Sequence, residues 1–248
     1  MYVVGYPKSG NTWLCFLLAY CLNAEYDDLD APGIHPTKEY QRRYVKGSLA
    51  HPSYQDKVGQ ILKTHDLELE KISRQQPFIY LVRDGRDVMV SYYFFKNTYL
   101  YTRNSSWLKK RLLQTRNLIN SSFKTTARYK DFSTFLPQYL DEWVAHVSVY
   151  LKHQPTMVVR YEDLKIAPVA TLNKLFEQLN IRVAPEIIDR ALDIFDFKQL
   201  SQRQEGEEDP SSFFRKGIVG DWQNHFSSED LKFFEQKAAG VMERLGYS

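Results

Sequence analysis

Four short runs of apolar, β-prone residues, Tyr2 to Tyr6, Gln60 to Thr64, Phe78 to Val82 and Met157 to Arg160, alternate with longer stretches of helical periodicity. This alternation constrains the fold more than any other feature of the chain, because strands separated by helices reach one another through crossovers and so pair in parallel. Each run is continuously apolar instead of alternating in and out, which calls for helical cover on both faces of the sheet. The expected fold class is therefore α/β, a three-layer sandwich around a central parallel sheet, with helices starting at Asn11, near Gly85 and after Tyr161. Two long helices are expected between Ser105 and Lys152, the second aligning Phe135, Tyr139, Trp143 and His146 or Val147. The last helix opens on a capping box of Ser227 and Asp230 and lays Leu231, Phe234, Ala238, Val241 and Leu245 along one face. No repeat or Pro-rich linker interrupts the chain, so residues 1–248 are read as a single domain.

Charge and composition exclude several function classes. Thirty-three Lys and Arg against 30 Asp and Glu leave +3, far from the field of a dedicated nucleic-acid binder. The 15 Phe and 17 Tyr are more than a disordered chain carries. The longest apolar run, Thr12 to Leu22, falls well short of the ~20 residues that cross a bilayer, and no export leader is read before it. Cys15 and Cys21 lie in one expected helix, about 9 Å apart along its axis and beyond disulfide reach. Reduced thiols point to a cytoplasmic protein.

The first strand runs into GYPKSGNTW, Gly5 to Trp13: a strand, a glycine-containing turn, then a helix whose first N–H groups lack partners. That arrangement is a P-loop-like anion cradle. Gly5 and Gly10 have the spacing of a nucleotide P-loop, but Asn11 stands where its lysine belongs, and the one lysine, Lys8, lies inside the turn. A cradle with its cation displaced suits a phosphate-bearing ligand from which another group is transferred. Further along, YLVRDGRDVMVSYYFF places Arg83 at a strand end and Ser91 eight residues later; read by itself, Arg83 to Asp87 is a surface charge cluster. ILKTHDLE, RYEDL and FFRKGIVGDWQNHF follow as separate islands.

Together these islands resemble the sulfotransferases that use 3′-phosphoadenosine 5′-phosphosulfate (PAPS), and more particularly cytosolic small-molecule members with the short N-terminus of bacterial forms. The resemblance implies that Lys8, Ser9, Gly10, Asn11 and Thr12 hold the 5′-phosphosulfate. It assigns Arg83, Ser91, Phe214, Arg215, Lys216 and Gly217 to the 3′-phosphate segment, and Trp13, Tyr161 and Phe197 to the adenine. The acidic stretch Glu205 to Ser212 reads as a loop able to close over the nucleotide. His65 of the KTH segment is implied as general base, with Lys8 and Lys63 steadying the leaving phosphate and no metal required. The other five histidines, His146 among them, carry no such context.

The implied reaction moves a sulfuryl group from PAPS to a hydroxyl or amine of a small molecule in secondary metabolism, leaving adenosine 3′,5′-bisphosphate (PAP). Phenols, alcohols and amines all stay open as acceptors. A P-loop kinase of small molecules and a catalytically silent adenosine-bisphosphate binding protein are the alternative readings. Neither membrane nor nucleic-acid partners are expected. The family's dimer motif KxxxTVxxxE finds only Gln223, Ser227, Ser228 and Lys232 at its fixed positions, so the expected state is a monomer or a dimer built differently.

Overall fold

The computed structural model describes residues 1–30, 59–66, 78–100 and 129–247. Five strands form one parallel sheet: β1 (Tyr2–Val4), β2 (Glu25–Asp28), β3 (Gln60–Thr64), β4 (Phe78–Val82) and β5 (Met157–Arg160), in the order β2-β3-β1-β4-β5. Val3 lies opposite Lys63 and Ile79, and Val82 opposite Arg160, so the carboxyl ends of β1, β3, β4 and β5 share one rim. The sequence reading lacked β2. Its residues, EYDD, carry no apolar run, and at the edge of the sheet only Tyr26 and Asp28 turn inward to buried positions.

The helices are α1 (Asn11–Cys21), α2 (Gly85–Phe94), α3 (Phe132–Lys152), α4 (Tyr161–Ile166), α5 (Pro168–Gln178), α6 (Pro185–Ile194), α7 (Phe197–Ser201) and α8 (Ser228–Arg244). A π-helical turn, Phe95–Tyr99, continues α2, and a short 3₁₀ turn spans Asp221–Asn224. The helix starts at Asn11, Gly85 and Tyr161 agree with expectation, as does the Ser227–Asp230 capping box. The first of the two helices expected between 105 and 152 lies outside the described residues; the second is α3.

Because strand side chains alternate between faces, the sheet divides the core into two layers. On one face Val3, Ile61, Ile79, Leu81 and Val159 meet α1, α5 and α6, and Phe16 stacks on Phe195 at 5.3 Å. On the other, Tyr2, Val4, Tyr80 and Val82 meet α2, α3 and α8, with Trp143, Phe135 and Phe234 at its centre. Each such aromatic side chain contributes roughly 1.5–3 kcal/mol by burial, and the effect is to hold the strand ends, where the polar residues collect, against rigid helices. Cys15 and Cys21 are free thiols, both buried.

Candidate active site

Open parallel sheets bind ligands beyond the carboxyl ends of their strands, and here that rim opens onto a cavity of about 390 Å³. Lys8, Gly10, Asn11, Thr12, Trp13, Lys63, His65, Arg83, Ser91, Tyr161, Phe197, Phe214, Arg215, Lys216 and Gly217, from seven separate stretches of chain, all line it. Of the residues singled out from sequence, Ser9 alone is missing from the wall; it is buried behind the turn, its N–H on the Tyr6 carbonyl.

The turn after β1 is built to leave donors exposed to an anion. Gly10 caps α1 at φ 101° and contributes no side chain to the helix N–H groups, and the first turn carries no acid. A Cβ at Gly10 would come within 2.6 Å of the Tyr161 ring. Asn11 was expected to offer its amide to phosphate. The structure turns Nδ2 inward instead, donating to the carbonyls of Gly5 and Tyr6, so Asn11 buttresses the turn.

Three cations converge beside this turn. Lys8 donates to the Phe213 carbonyl at 3.0 Å and lies over the rings of Phe213 and Phe95. Its pKa falls to about 7, through burial first and then through repulsion from Arg83 and Arg215. Arg83 donates to the carbonyls of Ile218 and Lys8, pairs with Asp87 at 3.4 Å, and covers the Tyr161 ring at 4.5 Å. Arg215 is held by Glu208 and Asp221, and Lys216 by Asp221 at 2.6 Å. Burial would raise the Asp221 carboxyl, but hydrogen bonds from Lys216, Arg215 and Asn224 outweigh it and hold it well below the usual carboxylate range. Among the described residues the buried Nε atoms of Arg83 and Arg215 have no hydrogen-bond partner, which fits a site completed by an anion. Gly217, at φ 75°, lies under Phe197, where a Cβ would meet the ring at 2.4 Å.

The acidic stretch expected to be a movable flap is tied down. Gly206 N–H reaches the Lys216 carbonyl, Asp209 N–H the Arg215 carbonyl, and Glu205 pairs with Lys165. Lys165, which follows the RYEDL segment and carries no motif of its own, sits 5.5 Å from the Trp13 ring; Trp13 itself is fixed by Nε1–H on the Phe195 carbonyl at 2.9 Å.

His65 follows β3 and is held from several directions. Its Nδ1 lies 2.5 Å from the Gly5 carbonyl, and since a carbonyl only accepts, the proton is on Nδ1 and the basic lone pair on Nε2. Asp30 accepts from the His65 backbone N–H and from Thr64 Oγ1. His146 Nε2 reaches the His65 carbonyl at 3.2 Å, and its Nδ1 meets the Tyr80 hydroxyl at 2.9 Å. Burial lowers the His146 pKa to about 4, so this second imidazole is a neutral strut. Lys63, expected to face the leaving phosphate, differs from expectation: Nζ is 2.8 Å from Asp28 and 3.5 Å from Asp30, and Lys63 and Asp28 are both buried. Its charge is committed to joining β2 and β3. Nothing in the sequence around Asp28 or Asp30 marks this partnership, since it depends on a strand that has no apolar signature.

A strand–turn–helix segment, several cations and His65 thus share one cavity at the carboxyl rim of the sheet. The sulfotransferase domain profile matches residues 1–246. The chain therefore belongs to the sulfotransferase family and is a PAPS-dependent transferase of that class. Sulfotransferase 2A1 of Homo sapiens is 24% identical over 266 residues, covering 98% of this chain and 85% of its own length. Sulfotransferase 6B1 of Danio rerio is 26% identical over 260 residues, covering 99% and 81%. Mouse sulfotransferase SULT7A1 complexed with PAP shares the fold at a TM-score of 0.64 and 20% identity, with 98% of this chain and 83% of that one aligned. Retinol dehydratase in complex with androsterone and PAP does so at 0.60 and 18%, over 97% and 80%.

Proposed function

We propose that the chain, working as one domain, transfers the sulfuryl group of PAPS to a hydroxyl, or to an amine, of a small molecule, with His65 as general base. PAPS supplies an activated sulfuryl group on a phosphate leaving group. The N–H groups at the start of α1 and the Lys8 ammonium meet the charge that grows on that phosphate. Arg83, Ser91, Arg215, Lys216 and the backbone at Gly217 hold the 3′-phosphate, and Trp13, Tyr161 and Phe197 flank the base. At His65, Nε2 takes the acceptor proton while Nδ1–H stays on the Gly5 carbonyl, which keeps the ring oriented as it becomes cationic. Lys63, bound to Asp28, serves by fixing the strand that carries His65.

The observation that carries this reading is the gathering of Lys8, Arg83 and Arg215 around one cavity wall, close enough to loosen the Lys8 proton. No helix among the described residues is long and apolar enough to cross a membrane, and the buried free thiols suit the reducing cytoplasm. The test replaces His65 with Ala. The Gly5 carbonyl keeps its bond from Asn11 Nδ2 at 3.2 Å, so PAP affinity by calorimetry should be unchanged. Mass-spectrometric sulfation of phenols, alcohols and amines should fall by about 10² to 10⁴. Turnover equal to wild type on an accepted substrate would remove His65 from the role, and failure of the wild type to bind PAP would remove the reading.

A further inference from the structure

The cavity contains one cation that neither the nucleotide nor the scaffold accounts for. Among the described residues of the wall, Lys63 has Asp28, Arg83 has Asp87, Lys165 has Glu205, Arg215 has Glu208 and Asp221, and Lys216 has Asp221. Lys8 belongs to the anion cradle. Lys96, second residue of the π-helical turn, is half-buried and has no carboxylate at ion-pair distance among the described residues. Its Nζ lies 5.2 Å from the centre of the Tyr92 ring and 5.3 Å from that of Tyr139. Burial lowers its pKa, and the negative charge of Glu142 only partly offsets this. A charged group kept at an apolar wall without a counter-ion is costly unless a ligand supplies one.

The surroundings say what that ligand is. Tyr92, Phe95, Tyr99, Leu100 and Phe213 line the cavity next to Lys96, a surface for a flat apolar body. Tyr6 connects this wall to the base, with edge contacts to Tyr92 at 5.6 Å and to His146, the residue that holds the His65 carbonyl, at 5.5 Å. Of the two acids among the described residues of the wall, Asp28 is paired with Lys63 and Asp30 is engaged by three donors, so neither recruits an ammonium. The sequence adds an independent observation: from Lys96 to Lys130 there are nine Lys and Arg and no Asp or Glu, in a chain whose net charge is only +3. By composition this run favours an anionic over a cationic partner.

We propose that the acceptor is an aromatic hydroxyl compound bearing a carboxylate, its ring on the Tyr92–Phe95–Tyr99 wall and its carboxylate on Lys96 Nζ. The proposal rests on the sulfuryl-transfer reading for the chemistry, but the charge assignment is measurable without it. The protein saturated with PAP is titrated with para-hydroxyphenylpropionate, with its methyl ester and with tyramine. The acid should bind at least about tenfold more tightly than the ester, as expected for a charge-assisted hydrogen bond, and tyramine most weakly. Lys96→Gln should reduce the acid to the affinity of the ester with PAP affinity unchanged, and Lys96→Arg should retain the preference. Equal binding of acid and ester, or a preference that survives in Lys96→Gln, overturns the assignment. With PAPS present, an acid that binds as expected and is not sulfated counts against the transfer reading and leaves the Lys96 assignment standing. Equal sulfation of acid and ester does the reverse.

Discussion

At the scale of single residues, Lys8 is the most informative side chain in the site. It sits at φ 71° inside the turn, and burial together with Arg83 and Arg215 lowers its pKa from 10.5 to about 7. Between those two values the unfolded chain holds more protons than the folded one, so the contribution of Lys8 to stability rises as pH increases through that window. Binding an anion reverses the balance. A phosphate beside Nζ favours the ammonium, so PAP binding at pH 8 should take up a proton, the phosphates already being fully ionised above a second pKa of about 6. Calorimetry in buffers of differing ionisation enthalpy should give an uptake approaching one proton at pH 8, declining as pH falls below 7 and absent in Lys8→Met. An uptake unaffected by that substitution would place the proton elsewhere. Gly217 supports a second prediction: Gly217→Ala forces a left-handed residue against Phe197, at about 1–2 kcal/mol for the backbone alone, and should weaken PAP binding measured by the same titration. Lys8, Arg83, His65 and Arg215 were legible because each stands in a local motif. The inward turn of the Asn11 amide and the capture of Lys63 by Asp28 were not, because both depend on partners set by the tertiary fold.

At the scale of elements, the site is held together by Asp87 on the first turn of α2. This carboxylate is only 1% exposed. It accepts from the backbone N–H of Gly220 at 2.7 Å, from that of Trp222 at 2.9 Å, and from Arg83. One side chain therefore joins β4, α2 and the segment carrying Arg215 to Gly217, and sets the distance between the two arginines. Removing it takes the acceptor from two half-buried N–H donors and the counter-ion from the buried Arg83 guanidinium, which keeps only the Ile218 and Lys8 carbonyls. Asp87→Ala should lower stability by about 3–5 kcal/mol in urea unfolding, and PAP affinity should fall at least tenfold at temperatures where the variant is folded. A variant that loses stability but binds PAP as wild type would limit Asp87 to a structural role. Sequence patterns exposed α1, α2 and α8 through periodicity and caps, whereas β2 stayed hidden because an edge strand with alternate burial does not need an apolar run. The sequence of RDGRD looked like a solvated charge cluster in isolation, yet Asp84 caps α2 while also binding Arg86, and Asp87 lies deep in the core of the site.

At the scale of the whole molecule, alternation of strands and helices was enough to read the parallel sheet, but the order β2-β3-β1-β4-β5 was not, since crossovers of similar length permit several orders. One prediction about assembly concerns the segment that would carry the family's dimer motif. Here Ser227 is spent on its own helix: its hydroxyl donates to Asp230 at 2.8 Å and accepts the Asp230 N–H at 3.1 Å. The same carboxylate takes a hydrogen bond from Ser133 at the start of α3, so the cap also fastens α8 to its neighbour. Gln223, Ser228 and Lys232 are exposed and replace every residue that the motif specifies. With Gln223 and Lys232 where the motif has a lysine and a glutamate, no opposite charges stand at those two positions to pair across a two-fold contact. A thiol at Ser228 should therefore remain unlinked. Ser228→Cys under mild oxidation should give no disulfide dimer at concentrations where sedimentation velocity is recorded, the native Cys15 and Cys21 being buried and unable to substitute. Hydrogen exchange across 223–232 should likewise not slow as concentration rises. Rapid cross-linking through Cys at 228, together with concentration-dependent protection of that segment, would show the two-fold contact that these residues argue against.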